Sequence, residues 1–195
     1  MSLKDYRKKR DFSQSKEPTG QGTAKSGDCV FVIQKHAAST LHYDFRLAVD
    51  GVLKSWAVPK GPSTDPSDKR LAIATEDHPL DYAEFEGTIP KDSYGGGTVL
   101  IWDRGTYDNI TEKDDGLRPL AKALEQGHAL VRLHGEKLTG GYALQRIDDE
   151  KGHWLLIKMD DEGADARRNP VSTQPKSVAT GRTLKQIAQD AGEDD

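Results

Sequence analysis

The stretch from residue 41 to residue 58, LHYDFRLAVDGVLKSWAV, decides the fold. Two runs rich in β-branched and aromatic residues flank Asp50-Gly51, the pair that favours a two-residue hairpin turn. From His42 to Leu47 ionisable and apolar side chains alternate strictly. On an extended strand His42, Asp44 and Arg46 share one face, and Tyr43, Phe45 and Leu47 the other. The wet face of an ordinary amphipathic strand carries Thr, Ser, Lys or Glu. An imidazole, a carboxylate and a guanidinium in a row are either an exposed ion-pair ladder or the floor of a site.

Similar runs recur on both sides: DCVFVIQK (28–35), KRLAIAT (69–75), GGTVLIWD (96–103), HALVRLHG (128–135), YALQRI (142–147) and GHWLLIKM (152–159). They are short and separated by Gly, Asp and Asn, and Arg104-Gly105 predicts a further turn. This spacing predicts an all-β fold, an antiparallel sandwich or barrel with one or two peripheral helices. One helix is expected over GLRPLAKALEQG (116–127), where Leu117, Leu120 and Leu124 fall at helical spacing before Gly127. Another begins at Thr183, with Gln186 three residues on in a capping-box pattern. The expected divisions are a basic arm (1–27), the barrel (28–162) and a linker-like tail with a short helix (163–195).

Composition narrows the class. Of 195 residues 34% are hydrophobic and 31% charged, a globular balance with a heavily charged surface. A net charge of −4 argues against coating nucleic acid by bulk charge. Residues 1–27 nevertheless hold seven basic side chains, Lys25 among them, against three acidic ones, which suits local phosphate contact or, as the plainer reading, a solvated tail. The lone Cys29 excludes an internal disulfide and a multi-cysteine zinc cluster, and a reducing cytoplasmic setting is expected. There is no run of eighteen apolar residues, so no membrane partner is expected.

Three segments carry chemistry. In QKHAASTLHYDFR (34–46), Gln34, His36, His42, Asp44 and Arg46 have one parity. Two imidazoles and a carboxylate are donors that suit Mn, Fe or Zn and leave coordination positions open. The spacing alone leaves a metal site and a surface ladder both standing. In ATEDHPLDYAEFEGTIP (74–90), Glu76, His78 and Tyr82 crowd a segment where His78 precedes a proline and is biased to an extended strand end; a solvated loop histidine is the plain alternative. In WAVPKGPS (56–63) prolines stiffen the loop around Lys60, and Lys69 and Arg70 follow. Gly95-Gly96-Gly97 reads as a bulge or tight turn, because no Lys-Ser/Thr follows it. The tetrapeptide KDDG (113–116) matches the lysyl-adenylate motif of nucleotidyltransferases, but only 79 residues follow it, too few for such a domain.

Together, RDFSQSKEPTG, FVIQKHAASTLHYDFRL, WAVPKGPS, EDHPLDYAEFEGTIP and HWLLIKMDD occur in an order that closely resembles the 3′-phosphoesterase domain of bacterial DNA ligase D, the multidomain enzyme of non-homologous end joining. The resemblance runs from about residue 7 to residue 160. It implies a small closed or partly open antiparallel β-barrel whose groove holds a divalent metal, usually manganese. It implies a phosphodiesterase step that removes a 3′-terminal ribonucleoside, then a phosphomonoesterase step that leaves a 3′-hydroxyl. Carried onto this chain, the metal ligands are His36, His42 and Asp44. Arg46 and His78 hold the scissile phosphate, with Tyr82 and Gln34 close by. His78 would stabilise the transition state as imidazolium or protonate the leaving oxygen. Glu76, Lys60 and Arg70 fall in family motifs that line the groove. Arg10, Asp11 and Glu17 match the N-terminal block and make the arm part of the site. The implied partners are DNA primer-template 3′ ends bearing a ribonucleotide or phosphate, together with a ligase, a polymerase or a Ku-type end-joining protein. Association with the nucleoid during repair follows from that role.

One departure stands out: where the family usually has glycine after TIPK, this chain has Asp92, which puts the balance of the two activities in doubt. Two rival readings remain. A 2-His-1-carboxylate oxygenase would use His42, Asp44 and a distal His128 or His134. A DNA 3′-end-binding module would keep the groove without turnover. His128, His134 and His153 otherwise read as structural or exposed.

Overall fold

The computed structural model describes residues 3–21 and 28–193. Lys25 and the rest of 22–27, together with Asp194 and Asp195, lie outside the described residues. Asp50 and Gly51 both take positive φ (48° and 83°) and join β2 (Leu41–Val49) to β3 (Val52–Val58) in the expected hairpin. Its register sets Tyr43 opposite Val58 and Phe45 opposite Trp56. These apolar side chains point inward with Leu47 and form one continuous core.

The remaining strands are β1 (Val30–Ala37), β4 (Lys69–Pro79), β5 (Gly87–Ile89), β6 (Gly97–Asn109), β7 (Glu112–Lys113), β8 (Gly116–Leu117), β9 (His128–Gly135), β10 (Thr139–Asp148) and β11 (His153–Lys158). They pair antiparallel in the order β1-β2-β3-β4-β11-β10-β9-β6, and β6 pairs back onto β1. The result is a closed eight-stranded barrel, with β5 added at the edge of β6 and β7–β8 as a separate hairpin. Closure removes the unpaired edges of the sheet.

A second apolar cluster lies on the outside of the barrel. Leu53, Ala48 and Val99 meet Tyr6 from α1 (Lys4–Lys8) and Tyr82 from the 3-10 turn Leu80–Glu84. Tyr6 is fully buried there. The N-terminal segment therefore packs as a cover over the outer faces of β1–β4, and this cover walls the site.

Two local expectations are corrected. Arg104-Gly105 is no turn: β6 runs straight through it, pairing Gly105 with Phe31 on one side and with Gly135 on the other. Glycine is needed because a Cβ there would strike the His134 carbonyl. The helix expected from Leu117 begins only at Leu120, as α2 (Leu120–Glu125). Pro119 disfavours helical backbone at the residue before it, and Leu117 is instead an exposed residue of β8.

Residues 163–193, expected as a linker-like tail, lie along the barrel. The Gln174 carbonyl accepts hydrogen bonds from Trp102 Nε1 and Lys137 Nζ. The Val178 N–H donates to Ile101 O. After α3 (Pro170–Thr173), Thr183 and Gln186 form the predicted capping box of α4 (Leu184–Asp190), which buries Ile187 in the main core. No described helix is long and apolar enough to cross a membrane.

Candidate metal centre and its cavity

The β1–β2 register places Gln34 opposite Asp44 and His36 opposite His42. Directly paired residues on one face are near neighbours, so the shared parity of these side chains becomes a cluster. His36, His42 and Asp44 each offer one ligand atom, all within 4.8 Å of one another.

The outer nitrogen of each imidazole is already committed. His36 Nε2 lies 2.8 Å from the Gly95 carbonyl, and His42 Nδ1 lies 2.9 Å from the Thr40 carbonyl. A carbonyl only accepts, so each of those nitrogens carries a proton. The lone pairs of the neutral rings are then His36 Nδ1 and His42 Nε2, which stand 3.5 and 3.4 Å from Asp44 Oδ2. Such carbonyl partners fix tautomer and ring orientation in metal sites. Two oriented imidazoles and a buried carboxylate fit a divalent transition metal and leave positions for water and substrate. Burial alone would raise the Asp44 carboxyl, but the charge of Arg46 leads the opposing causes, and the carboxyl lies well below the usual carboxylate range.

Arg46 is fixed from behind. Its Nε donates to Gln34 Oε1 (2.7 Å) and its Nη1 to Ser55 Oγ (2.9 Å), while Nη2 stands 3.4 Å from Asp44 Oδ2. Gln34 is itself anchored, since its Nε2 donates to the carbonyls of Tyr82 and Phe85. The guanidinium lies 4.9 Å from the centre of the Tyr82 ring.

The arm supplies a second guanidinium. Arg10 donates from Nε to Glu17 (2.9 Å), from Nη1 to Glu76 (3.1 Å) and from Nη2 to His78 Nε2 (3.2 Å), with its planar end over the Tyr6 ring. Glu17 also accepts from the Tyr82 hydroxyl at 2.9 Å. Burial and the Glu17 charge push that phenol well above its ordinary range, so it stays a donor. His78 Nδ1 lies 2.9 Å from the Glu76 carbonyl and is the protonated nitrogen, so Nε2 presents a lone pair to Arg10. Burial, with the charges of Arg46 and Arg10, pushes the His78 pKa well below 6.5.

These groups line a cavity of about 240 Å³. Its three carboxylates, Glu17, Asp44 and Glu76, face two guanidiniums, Arg10 and Arg46, leaving one negative charge in excess. A divalent cation at the triad would reverse that sign. Of the residues named from sequence, His36, His42, Asp44, Arg46, Glu76, His78, Tyr82, Arg10 and Glu17 line it, and Gln34 stands behind Arg46. Asp11, Lys60 and Arg70 do not line it. Asp11 is exposed and bound to Ser13. Lys60 is exposed in the turn after β3. Arg70 sits opposite Leu156, eight residues before His78, about 26 Å along extended strand. His128 and His134 lie exposed on β9 and outside the cavity, so the oxygenase reading finds no distal histidine there.

Sequence reasoning missed Tyr94, Gly95, Ser55 and Lys9. Ser55 braces Arg46, and Gly95 acts through a carbonyl that no side-chain pattern reveals. Tyr94 lines the cavity and stands within reach of Lys9 and Glu76. Its position in the YGGG turn was its only signal.

A family model described as the DNA Ligase D 3′-phosphoesterase domain matches residues 34–146. The chain is 47% identical over 188 residues, 93% of its length, to the multifunctional non-homologous end joining protein LigD of Pseudomonas aeruginosa. It is 47% identical over 158 residues, 80% of its length, to the multifunctional non-homologous end joining DNA repair protein LigD of Mycobacterium tuberculosis. To the LigD protein of Mycolicibacterium smegmatis it is 45% identical over 162 residues, 82% of its length. The matches cover 22%, 20% and 21% of those proteins, so the chain spans about a fifth of the length of the curated relatives it matches.

Proposed function

The chain belongs to the DNA ligase D 3′-phosphoesterase domain family, and from that membership and the cavity we propose a divalent-metal-dependent enzyme that heals DNA 3′ ends. Its diesterase step removes a 3′-terminal ribonucleoside and leaves a 3′-phosphate. Its monoesterase step removes that phosphate and leaves a 3′-hydroxyl ready for joining. The observation that carries this reading is the convergence of His36 Nδ1, His42 Nε2 and Asp44 Oδ2 beside two braced guanidiniums.

Those three atoms would hold the ion, and manganese suits the mixed imidazole and carboxylate donors. Bound there, a divalent cation offsets charge on a phosphate oxygen and makes a bound water more acidic. Arg46, locked by Gln34 and Ser55, offers a fixed donor to the non-bridging oxygens and needs no reorganisation as charge develops. Arg10 adds a second donor from the arm, aimed by Glu17 and Glu76. His78 enters the reaction unprotonated, with its lone pair on Arg10, and so orients that guanidinium. The Tyr82 hydroxyl holds Glu17 in place.

The test is a labelled primer-template ending in one 3′ ribonucleotide, incubated with manganese or with EDTA. A shortened 3′-phosphate product and then a 3′-hydroxyl are expected only with metal, and His42→Ala and Asp44→Ala should abolish both. Tight binding of 3′-phosphate ends without product in any divalent ion would mark an end-binding module and overturn the enzymatic reading.

A further inference from the structure

At the mouth of the metal cavity stands an aromatic ring to which the chemistry above assigns no task. Tyr94 lines the cavity yet is 48% exposed, one of the few large apolar side chains left open among the described residues. The arm holds it in place: Lys9 Nζ lies 4.9 Å from the ring centre and 3.4 Å from the hydroxyl, and the Arg10 guanidinium lies 5.4 Å from the ring centre. The hydroxyl also donates to Glu76 at 3.4 Å. An open, braced ring beside cations suits one face of a nucleobase, since aromatic stacking and backbone charge together bind unpaired nucleotides.

A second cavity continues from the first. It has a volume of about 460 Å³ and shares Gly95 and Ala38 with the metal cavity. Its walls are the β1–β2 turn (Ala37, Ala38, Ser39) and the loop carrying Lys91, Ser93 and Gly95–Gly97. Small side chains leave room for a backbone, and Lys91 supplies the only charge. A strand whose end lies at the triad has a path here, and Tyr94 stands beside the start of that path.

Resting on the phosphoesterase reading, we propose that Tyr94 stacks on the base of the nucleotide whose 3′ oxygen carries the scissile phosphate. The remainder of the strand leaves along the groove between 37–39 and 91–97. This makes Tyr94 the residue by which the site tells a nucleotide end from a simple phosphate ester.

Removing the base and the ring in turn tests it. A primer-template ending in a 3′-phosphate is compared with the same strand carrying an abasic tetrahydrofuran at that last position. In the wild type, loss of the base should lower kcat/KM about ten-fold, within the usual range for one stacked base. Tyr94→Ala should fall about ten-fold on the normal end and lose the preference, handling both ends alike. Tyr94→Phe should keep the preference. If Tyr94→Ala keeps the wild-type preference, or the wild type has none, the stacking role is overturned. A loop merely displaced around Gly95 would slow both ends equally and leave the preference intact, which also overturns it. A wild type that releases phosphate from neither end overturns the underlying phosphoesterase reading instead.

Discussion

His78 is buried between two guanidiniums and hydrogen-bonded as a neutral ring, and this has consequences for both stability and chemistry. Its native pKa lies well below 6.5, the value that the unfolded chain retains. Above that pH both states are neutral and the group contributes no pH dependence. As pH falls through 6.5 the unfolded chain takes up a proton that the native state refuses, so stability is lost on acidification. The limiting slope for one group is about 1.4 kcal/mol per pH unit. Gln at this position can still donate to the Glu76 carbonyl and accept from Arg10. His78→Gln should therefore lose roughly 1 kcal/mol less stability than wild type between pH 7.5 and pH 5.5 in urea titrations; equal losses would refute the neutral buried ring. If His78 orients Arg10 rather than delivering a proton, His78→Ala should slow DNA ends and nitrophenyl esters by similar factors. A selective loss on the poor leaving group would restore the acid role. Gln34 acts one step further back, joining the Tyr82 and Phe85 carbonyls to Arg46. Gln34→Ala should lower kcat about 100-fold, the scale of losing one aimed donor, while calorimetry finds manganese affinity little changed.

At the scale of elements, legibility followed the range of the forces involved. The β2–β3 hairpin was readable because Asp50-Gly51 and a period of two are local signals, and the same period put His42, Asp44 and Arg46 on one face. That this face forms a site was not readable from periodicity. It depends on β1 pairing in the register that sets His36 against His42, and on a cover built from residues 3–21 and 80–85. The resemblance to a family supplied that information, and it carried Asp11, Lys60 and Arg70 along with residues that do line the cavity. Gly105 was misread for a related reason. A glycine after Arg looks like a turn, but here β6 has neighbours on both edges and the constraint comes from residues about thirty positions away. Gly105→Ala should consequently cost well over the ~1 kcal/mol of an ordinary strand substitution. Its Cβ meets the His134 carbonyl, a backbone atom that cannot rotate away. A denaturation midpoint close to wild type would show that β6 and β9 can separate without penalty.

Across the whole molecule, the described segments 3–21 and 163–193 pack on the barrel with different consequences. Residues 3–21 contribute one large buried side chain, Tyr6, to the outer cluster, but they bring Arg10 and Glu17 into the cavity. Residues 163–193 bring nothing to the lining, yet they accept the Trp102 N–H, bind Lys137 through two carbonyls and bury Ile187 in the main core. Stability and chemistry should therefore separate on truncation. Removing residues 1–21 leaves the eight paired strands intact, so cooperative unfolding should persist with a moderately lower midpoint. Turnover of any 3′ end should vanish, because Arg10 and Glu17 are gone and His78 opens to water. Removing residues 163–195 should do the reverse. The metal triad and both guanidiniums remain, but the Trp102 N–H and the Lys137 ammonium lose their partners. Each lost hydrogen bond costs about 0.5–1.5 kcal/mol, in addition to the core surface that Ile187 had covered. That variant should unfold well below the wild-type midpoint while retaining manganese-dependent turnover at low temperature. Thermal unfolding and product assays on both truncations decide the matter. A stable, active chain without residues 163–195 would make the tail a linker after all, and an active chain without residues 1–21 would remove Arg10 from the chemistry.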